Sequence, residues 1–241
     1  MPFTFSHPAI VLPLAKIHKN KLSATAVIIG SMAPDFEYFI RMEMYREHSH
    51  SLGGMLFFEL PVTLLCCVIY HWLVRDSLIK ALPEPIQNRF SEYVGIDLFG
   101  WLRKYWYVLI YSALIGAFSH IFWDAFTHST GYFARRIPFL QETTTYFGVE
   151  MRNCDWGQLF STLVGGMVIL LAIILPIQGS VNWKKLLPKA RYWITVFAIL
   201  MIVLLLRNVQ NLGDVIATTI AGGLLGLVFA PVVLKALRFG R

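Results

Sequence analysis

Charge is scarce in this chain. Only 15% of its 241 residues are Asp, Glu, Lys or Arg, against roughly 25% in soluble domains, while 56% are hydrophobic and the mean hydropathy is +0.59. That balance excludes a soluble globular domain and predicts a membrane protein. Cysteine is scarce too. Cys66 and Cys67 fall in an apolar run and Cys154 in a loop, which excludes a disulfide framework and a Cys-x-x-Cys metal knuckle. The opening Met-Pro-Phe-Thr-Phe-Ser-His-Pro has neither the basic n-region nor the long apolar h-region of a signal peptide, so His7 is expected to stay on the mature protein. No histidine follows His128 and no internal repeat is visible, which gives an inverted-repeat transporter little support. Nucleic-acid recognition motifs are missing. The net charge of +7 comes from basic residues in short segments between apolar runs, the pattern of cytoplasmic flanks of membrane helices. Membrane lipid is therefore the expected partner, and nucleic acid is not.

What is present in abundance is apolar sequence. Met55 to Val74, Tyr105 to Phe126, Leu159 to Ile177, Tyr192 to Leu206 and Val215 to Leu234 predict five spanning helices. Pro8 to Ile17 and Leu22 to Ala33 fall short of the ~20 residues a span needs and predict a short hairpin, with Ser6 as N-cap and Pro8 in the first turn. The fold class expected is thus all-α, a multi-pass membrane helical bundle with a short N-terminal helical hairpin. Residues 75–104 are expected to form short interfacial helices, and residues 129–158 a polar loop. The chain divides into a helical region over 1–158 that carries the polar constellation and a three-helix scaffold over 159–241. Gly165-Gly166 and the Gly222/Gly226 face suit close helix contact, the latter as a homo-oligomer surface. With five spans, twelve basic residues, including those of 178–191 and the C-terminus, face nine across the membrane, which leans the C-terminus to the cytoplasm.

The chemistry concentrates between Gly116 and His128. His120, Asp124 and His128 are spaced four apart on a helical pattern, so they share one face. An ionisable side chain in a spanning segment is costly and marks a functional site by default; the bland alternative is that His120 and Asp124 pair and knit helices together. Pro34 breaks the second short segment and leaves Asp35 at a turn or helix start, where an ordinary acidic N-terminus is the plainer reading. Glu47-His48-Ser49-His50 precedes the first span, with Glu59 and Pro61 near the start of that span. Asp35 and His50 lie before the first span while Asp124 and His128 end the second, so all four emerge on one side of the bilayer; His120 lies ~6 Å deeper. Histidines and carboxylates without thiolate suit zinc, manganese or iron.

The opening octapeptide, Gly30 to Tyr38, His50 to Gly53 and Ser119 to His128 together resemble the DUF4184 family of bacterial membrane proteins. More remotely, their order resembles the membrane-bound metal-dependent hydrolases of the YdjM type and the zinc-dependent phospholipase C and P1 nuclease fold. The resemblance implies a multi-pass protein of the bacterial inner membrane. It also implies a metal site of His7, Asp35, His50, His120, Asp124 and His128, with His48 as the alternative to His50. One or two divalent ions, zinc first among them, would activate water for hydrolysis of a phosphoester or lipid-linked substrate. Asp35 or Asp124 would bridge ions or orient the water, and Glu37 would act as a nearby base. The soluble enzymes carry a further downstream His-x-x-x-Glu pair that this chain lacks. The rival readings are a non-catalytic polar cluster, structural or metal-binding, and a transporter with an ion path.

Overall fold

A computed structural model describes residues 3–176 and 187–239. Ile177, Lys184, Lys185 and Arg241, which entered the span and charge readings above, lie outside the described residues. Among those described the chain is all-α apart from one β-hairpin. Its elements are α1 (Pro8–Val11), α2 (Ala24–Gly30), α3 (Phe36–Arg41), α4 (Leu52–Ala81), α5 (Glu84–Phe90), α6 (Leu98–Thr127), α7 (Pro138–Gln141), β1 (Thr143–Tyr146), β2 (Val149–Arg152), α8 (Asn153–Ile174), α9 (Leu187–Leu206) and α10 (Leu212–Phe239). Five helices, α4, α6, α8, α9 and α10, are long and apolar enough to cross a membrane. Only 6% of the apolar stretch of α8 is buried by the rest of the chain, a surface that water would not tolerate and lipid does. This is a membrane helical bundle.

Local chemistry explains the element boundaries. Pro61 lacks a backbone donor, and the turn ahead of it opens to a π-turn in which the Leu60 N–H reaches the Met55 carbonyl; α4 runs on through it to Ala81. The helix α6 starts before the apolar run does, at Leu98, and bends at Tyr105 (φ −124°, ψ 25°). Ser6 is not the cap of α1: it belongs to a 3-10 turn over Thr4–Ser6, so its hydroxyl donates to the Thr162 carbonyl at 2.9 Å instead. The true side-chain cap in this region is Ser23, whose Oγ accepts from the Ala26 N–H ahead of α2. The stretch 129–158 is not a plain polar loop. Thr143-Thr144-Thr145-Tyr146 pairs antiparallel with residues 149–152 through a Phe147-Gly148 turn in which both residues have positive φ, the two-residue geometry that matches strand twist. The Trp156 indole N–H donates to the Thr144 carbonyl and fixes the hairpin to α8.

The chain forms two compact units. The first takes in the N-terminal segment to Asp35, residues 48–64 and residues 105–172. There α2 crosses α6 backbone to backbone: a Cβ on Gly30 would strike the Ala113 carbonyl, and one on Gly116 the Val27 carbonyl. The Ser23 N–H donates to Ser112 Oγ at 2.9 Å beside this crossing, and Val11, Leu22 and Val27 pack under Leu14, Ile28 and Tyr111. Gly165 meets the Ser6 backbone, so the smooth spot on α8 seats the N-terminal segment. The second unit comprises residues 36–47, 65–104 and 173–241. Its core is Ala81, Tyr192, Val196 and Ala230 under Leu78, Leu227 and Leu234. Gly222 and Gly226 of α10 pack on Leu200 and Val196 of α9, so this face is in contact within the chain itself.

Candidate metal centre

Four separate stretches of the first unit bring side chains to one point. The turn after Thr4–Ser6 delivers His7, which is 4% exposed. The Pro34 break delivers Asp35 in a 3-10 turn over Ala33–Asp35. The loop ahead of α4 delivers His50, and α6 delivers His120, Asp124 and His128 from one face. Asp35 and His120 are 0% exposed. The His7 and His120 rings stack at 3.6 Å, and His50 meets the edge of His120.

The Asp124 carboxylate lies at the middle. Its Oδ2 is 3.1 Å from His128 Nε2, 3.3 Å from His120 Nε2 and 3.4 Å from His50 Nε2; its Oδ1 is 3.7 Å from His7 Nε2. Asp35 Oδ1 is 3.4 Å from His50 Nε2 and 3.6 Å from His120 Nε2. The Nε2 atoms of His7, His120 and His128, Asp35 Oδ1 and both Asp124 oxygens make no hydrogen bond of acceptable geometry among the described residues. The orientation of the His120 ring follows from its other nitrogen. Nδ1 lies 2.8 Å from the Ser31 carbonyl, which only accepts, so Nδ1 carries a hydrogen and Nε2 is the nitrogen turned toward the two carboxylates. Burial first, and His120 beside it, push His7 down to about 3, so its ring is neutral at pH 7 and able to ligate. Burial pushes the Asp35 carboxyl up, yet the imidazoles of His120 and His50 outweigh it and hold the group below its ordinary value. Two ligand groups of this kind, His7 with Asp35 and His120, and His50 with His120 and Asp124, each have their atoms within 4.8 Å of one another.

A family model described as "Domain of unknown function (DUF4184)" matches residues 1–232. The chain belongs to the DUF4184 family. Neither the curated proteins nor the solved structures gave a match.

The DUF4184 chain positions its cluster with groups that carry no sequence signal. Thr4 Oγ1 donates to Asp35 Oδ2 at 2.6 Å, which leaves Oδ1 facing the imidazoles. His50 has φ 61°, a left-handed conformation that costs a non-glycine residue of order 1–3 kcal/mol. Its N–H is held by Glu59 Oε1 at 3.0 Å. Gly54 lets the loop close, since a Cβ there would strike the His48 carbonyl, while Ser51 Oγ accepts from the Gly54 N–H. Glu59 is fully buried; its place near the start of an apolar span was the one legible sign of it. Between the two loop histidines, His50 joins the cluster and His48 lies exposed at the surface. Glu37 belongs to the second unit, where its Oε1 accepts from Arg41 Nε at 3.1 Å and from the Glu47 N–H at 2.9 Å.

Proposed function

We propose that His7, Asp35, His50, His120, Asp124 and His128 of this membrane protein hold one or two divalent cations, zinc by donor set, and that the centre hydrolyses a phosphoester or lipid-linked substrate. The supporting observation is the spacing. Zinc binds nitrogen and oxygen at roughly 2.0–2.1 Å, so two ligands of one tetrahedral ion lie roughly 3.3 Å apart; the imidazole and carboxylate atoms here lie 3.1–3.7 Å apart.

Bound zinc lowers the pKa of a coordinated water and polarises the ester. The chain's own groups do the rest. Asp124 directs one oxygen toward His7 and the other toward His50, His120 and His128, so it would be a ligand shared among these imidazoles. Thr4 fixes Asp35 so that a single oxygen faces the site, and Ser31 fixes the His120 tautomer. In the reaction the water oxygen bonds to phosphorus or carbonyl carbon, the ester C–O or P–O bond breaks, and the departing alcohol oxygen takes a proton.

The test is elemental mass spectrometry of the detergent-purified protein beside a His120→Ala, Asp124→Ala double variant. Near-stoichiometric zinc that vanishes in the variant is expected, together with variant-sensitive hydrolysis of bis(p-nitrophenyl) phosphate. Absence of metal from both samples after reconstitution overturns the reading and leaves a packed polar cluster.

A further inference from the structure

A crevice of about 220 Å³ opens in the first unit beside the candidate centre. Its walls are Ala9 and Ile10 of the N-terminal segment, Trp123 of α6, and Val164, Gly165 and Val168 of α8. Two serines also line it, but both hydroxyls are turned inward: Ser6 donates to the Thr162 carbonyl and Ser161 to the Gly157 carbonyl. The lining therefore offers hydrocarbon contact and almost no hydrogen bonding. Its one titratable member is His7, whose ring stacks on His120. Burial falls into a gradient, from Ile10, Val164 and Val168, each more than 40% exposed, to Ser6 and His7 at 6% and 4%. The crevice thus runs from the outside of the bundle to a residue of the cluster.

What lies outside it follows from depth. Ser161 and Val168 stand roughly 12 Å and 22 Å along the axis from the start of α8 at Asn153, at 1.5 Å per residue, within the span rather than at its end. The neighbouring outward side chains of α8, Phe160, Leu163 and Met167, are more than half exposed. At that depth in a spanning helix the surroundings are acyl chains. The volume is below the roughly 300–1,000 Å³ of whole small-molecule sites, and suits one segment of a chain.

We infer that this crevice takes a hydrocarbon segment of a bilayer lipid, so that the substrate of the centre is an amphipathic lipid reached sideways from the membrane. This inference rests on the metal-hydrolase reading for its chemistry, though not for the binding of the chain. Gly165 is part of the device: its missing side chain lets the Ser6 backbone lie on α8, which holds His7 between crevice and cluster.

The experiment is photolabelling of the full chain in nanodiscs with a phosphatidylcholine bearing a diazirine on one acyl chain, with zinc content measured on the same sample. Labelling at Ile10, Val164 and Val168 is expected to exceed by several-fold that at Leu205 and Leu206, which face lipid on α9 at 80% and 83% exposure. Val168→Trp, and independently Val164→Trp, fill the crevice from an exposed position; each is expected to remove the labelling of Ile10 while zinc content stays at the wild-type level. Labelling no greater than at Leu205, or unchanged at Ile10 in both variants that retain zinc, overturns the inference. Enriched labelling on a chain that holds no zinc overturns the metal reading instead and leaves the crevice as a lipid site.

Discussion

At the scale of single residues, the cluster depends on groups that would never ligate a metal. Thr4 fixes one oxygen of Asp35 through a 2.6 Å hydrogen bond, and such partners of ligating groups typically change metal affinity 10–100-fold. Thr4→Ala is therefore expected to weaken zinc binding by about 10–100-fold, and Thr4→Ser to restore it, measured by competition with a chromophoric chelator; equal affinity in all three proteins sinks the positioning role. Glu59→Ala removes the acceptor that holds the His50 N–H in its left-handed conformation, with a loss of the same order expected, whereas Glu59→Gln keeps an acceptor oxygen and most of the affinity. The imidazoles and carboxylates that gather here were legible in the sequence because ionisable groups are so few near its apolar runs. Thr4 and the Ser31 carbonyl were not, since a hydroxyl or a backbone oxygen looks the same wherever it points. Glu37 is conspicuous in sequence, and in space its carboxylate accepts from Arg41 and the Glu47 amide.

At the scale of elements, the decisive contact is the crossing of α2 on α6. Gly30 and Gly116 bring two backbones together, and this approach carries the Ser31 carbonyl to within 2.8 Å of His120 Nδ1. Gly116→Ala forces the helices apart at a well-packed site, where overpacking costs typically about 1–3 kcal/mol. The thermal midpoint in detergent is expected to fall, and zinc affinity with it. Gly223→Ala is the matched control: its Cβ would meet only the tip of Leu200 at 3.8 Å, and little change is expected. A Gly116→Ala protein as stable as the control overturns this account of the crossing. The existence of the five long helices followed from hydropathy alone, but their ends did not. Hydropathy drops at Arg103-Lys104 and at Arg75, whereas the helical hydrogen bonds run on to Leu98 on one side and to Ala81 on the other. The β-hairpin went unread because its signal is short: three threonines, a tyrosine and a Phe-Gly turn inside a stretch whose arginines and glutamates suggested a loop.

At the scale of the whole chain, the six side chains of the proposed centre come from stretches separated by as many as 121 positions, His7 to His128, and every one of them lies in the first unit. A cation bound by all of these stretches staples them together, and stabilisation by a ligand that binds only the folded state grows with saturation, to about 4 kcal/mol at a thousand times its dissociation constant. The staple should be local. The contact of α9 with α10 is made by Gly222 and Gly226 on Leu200 and Val196, in the second unit and without any proposed ligand. Chelation of the purified protein is therefore expected to speed hydrogen exchange at residues 3–7, 31–35 and 48–50 while leaving the α9–α10 pair near its original rate. The N-terminal segment should respond with the others, because His7 joins the hydrogen bonds of Phe3, Thr4 and Ser6 and the seat on Gly165 in holding it. A chelator effect spread evenly over both units would mean general destabilisation rather than release of a staple, and no effect at any of the three stretches would mean that no cation holds them.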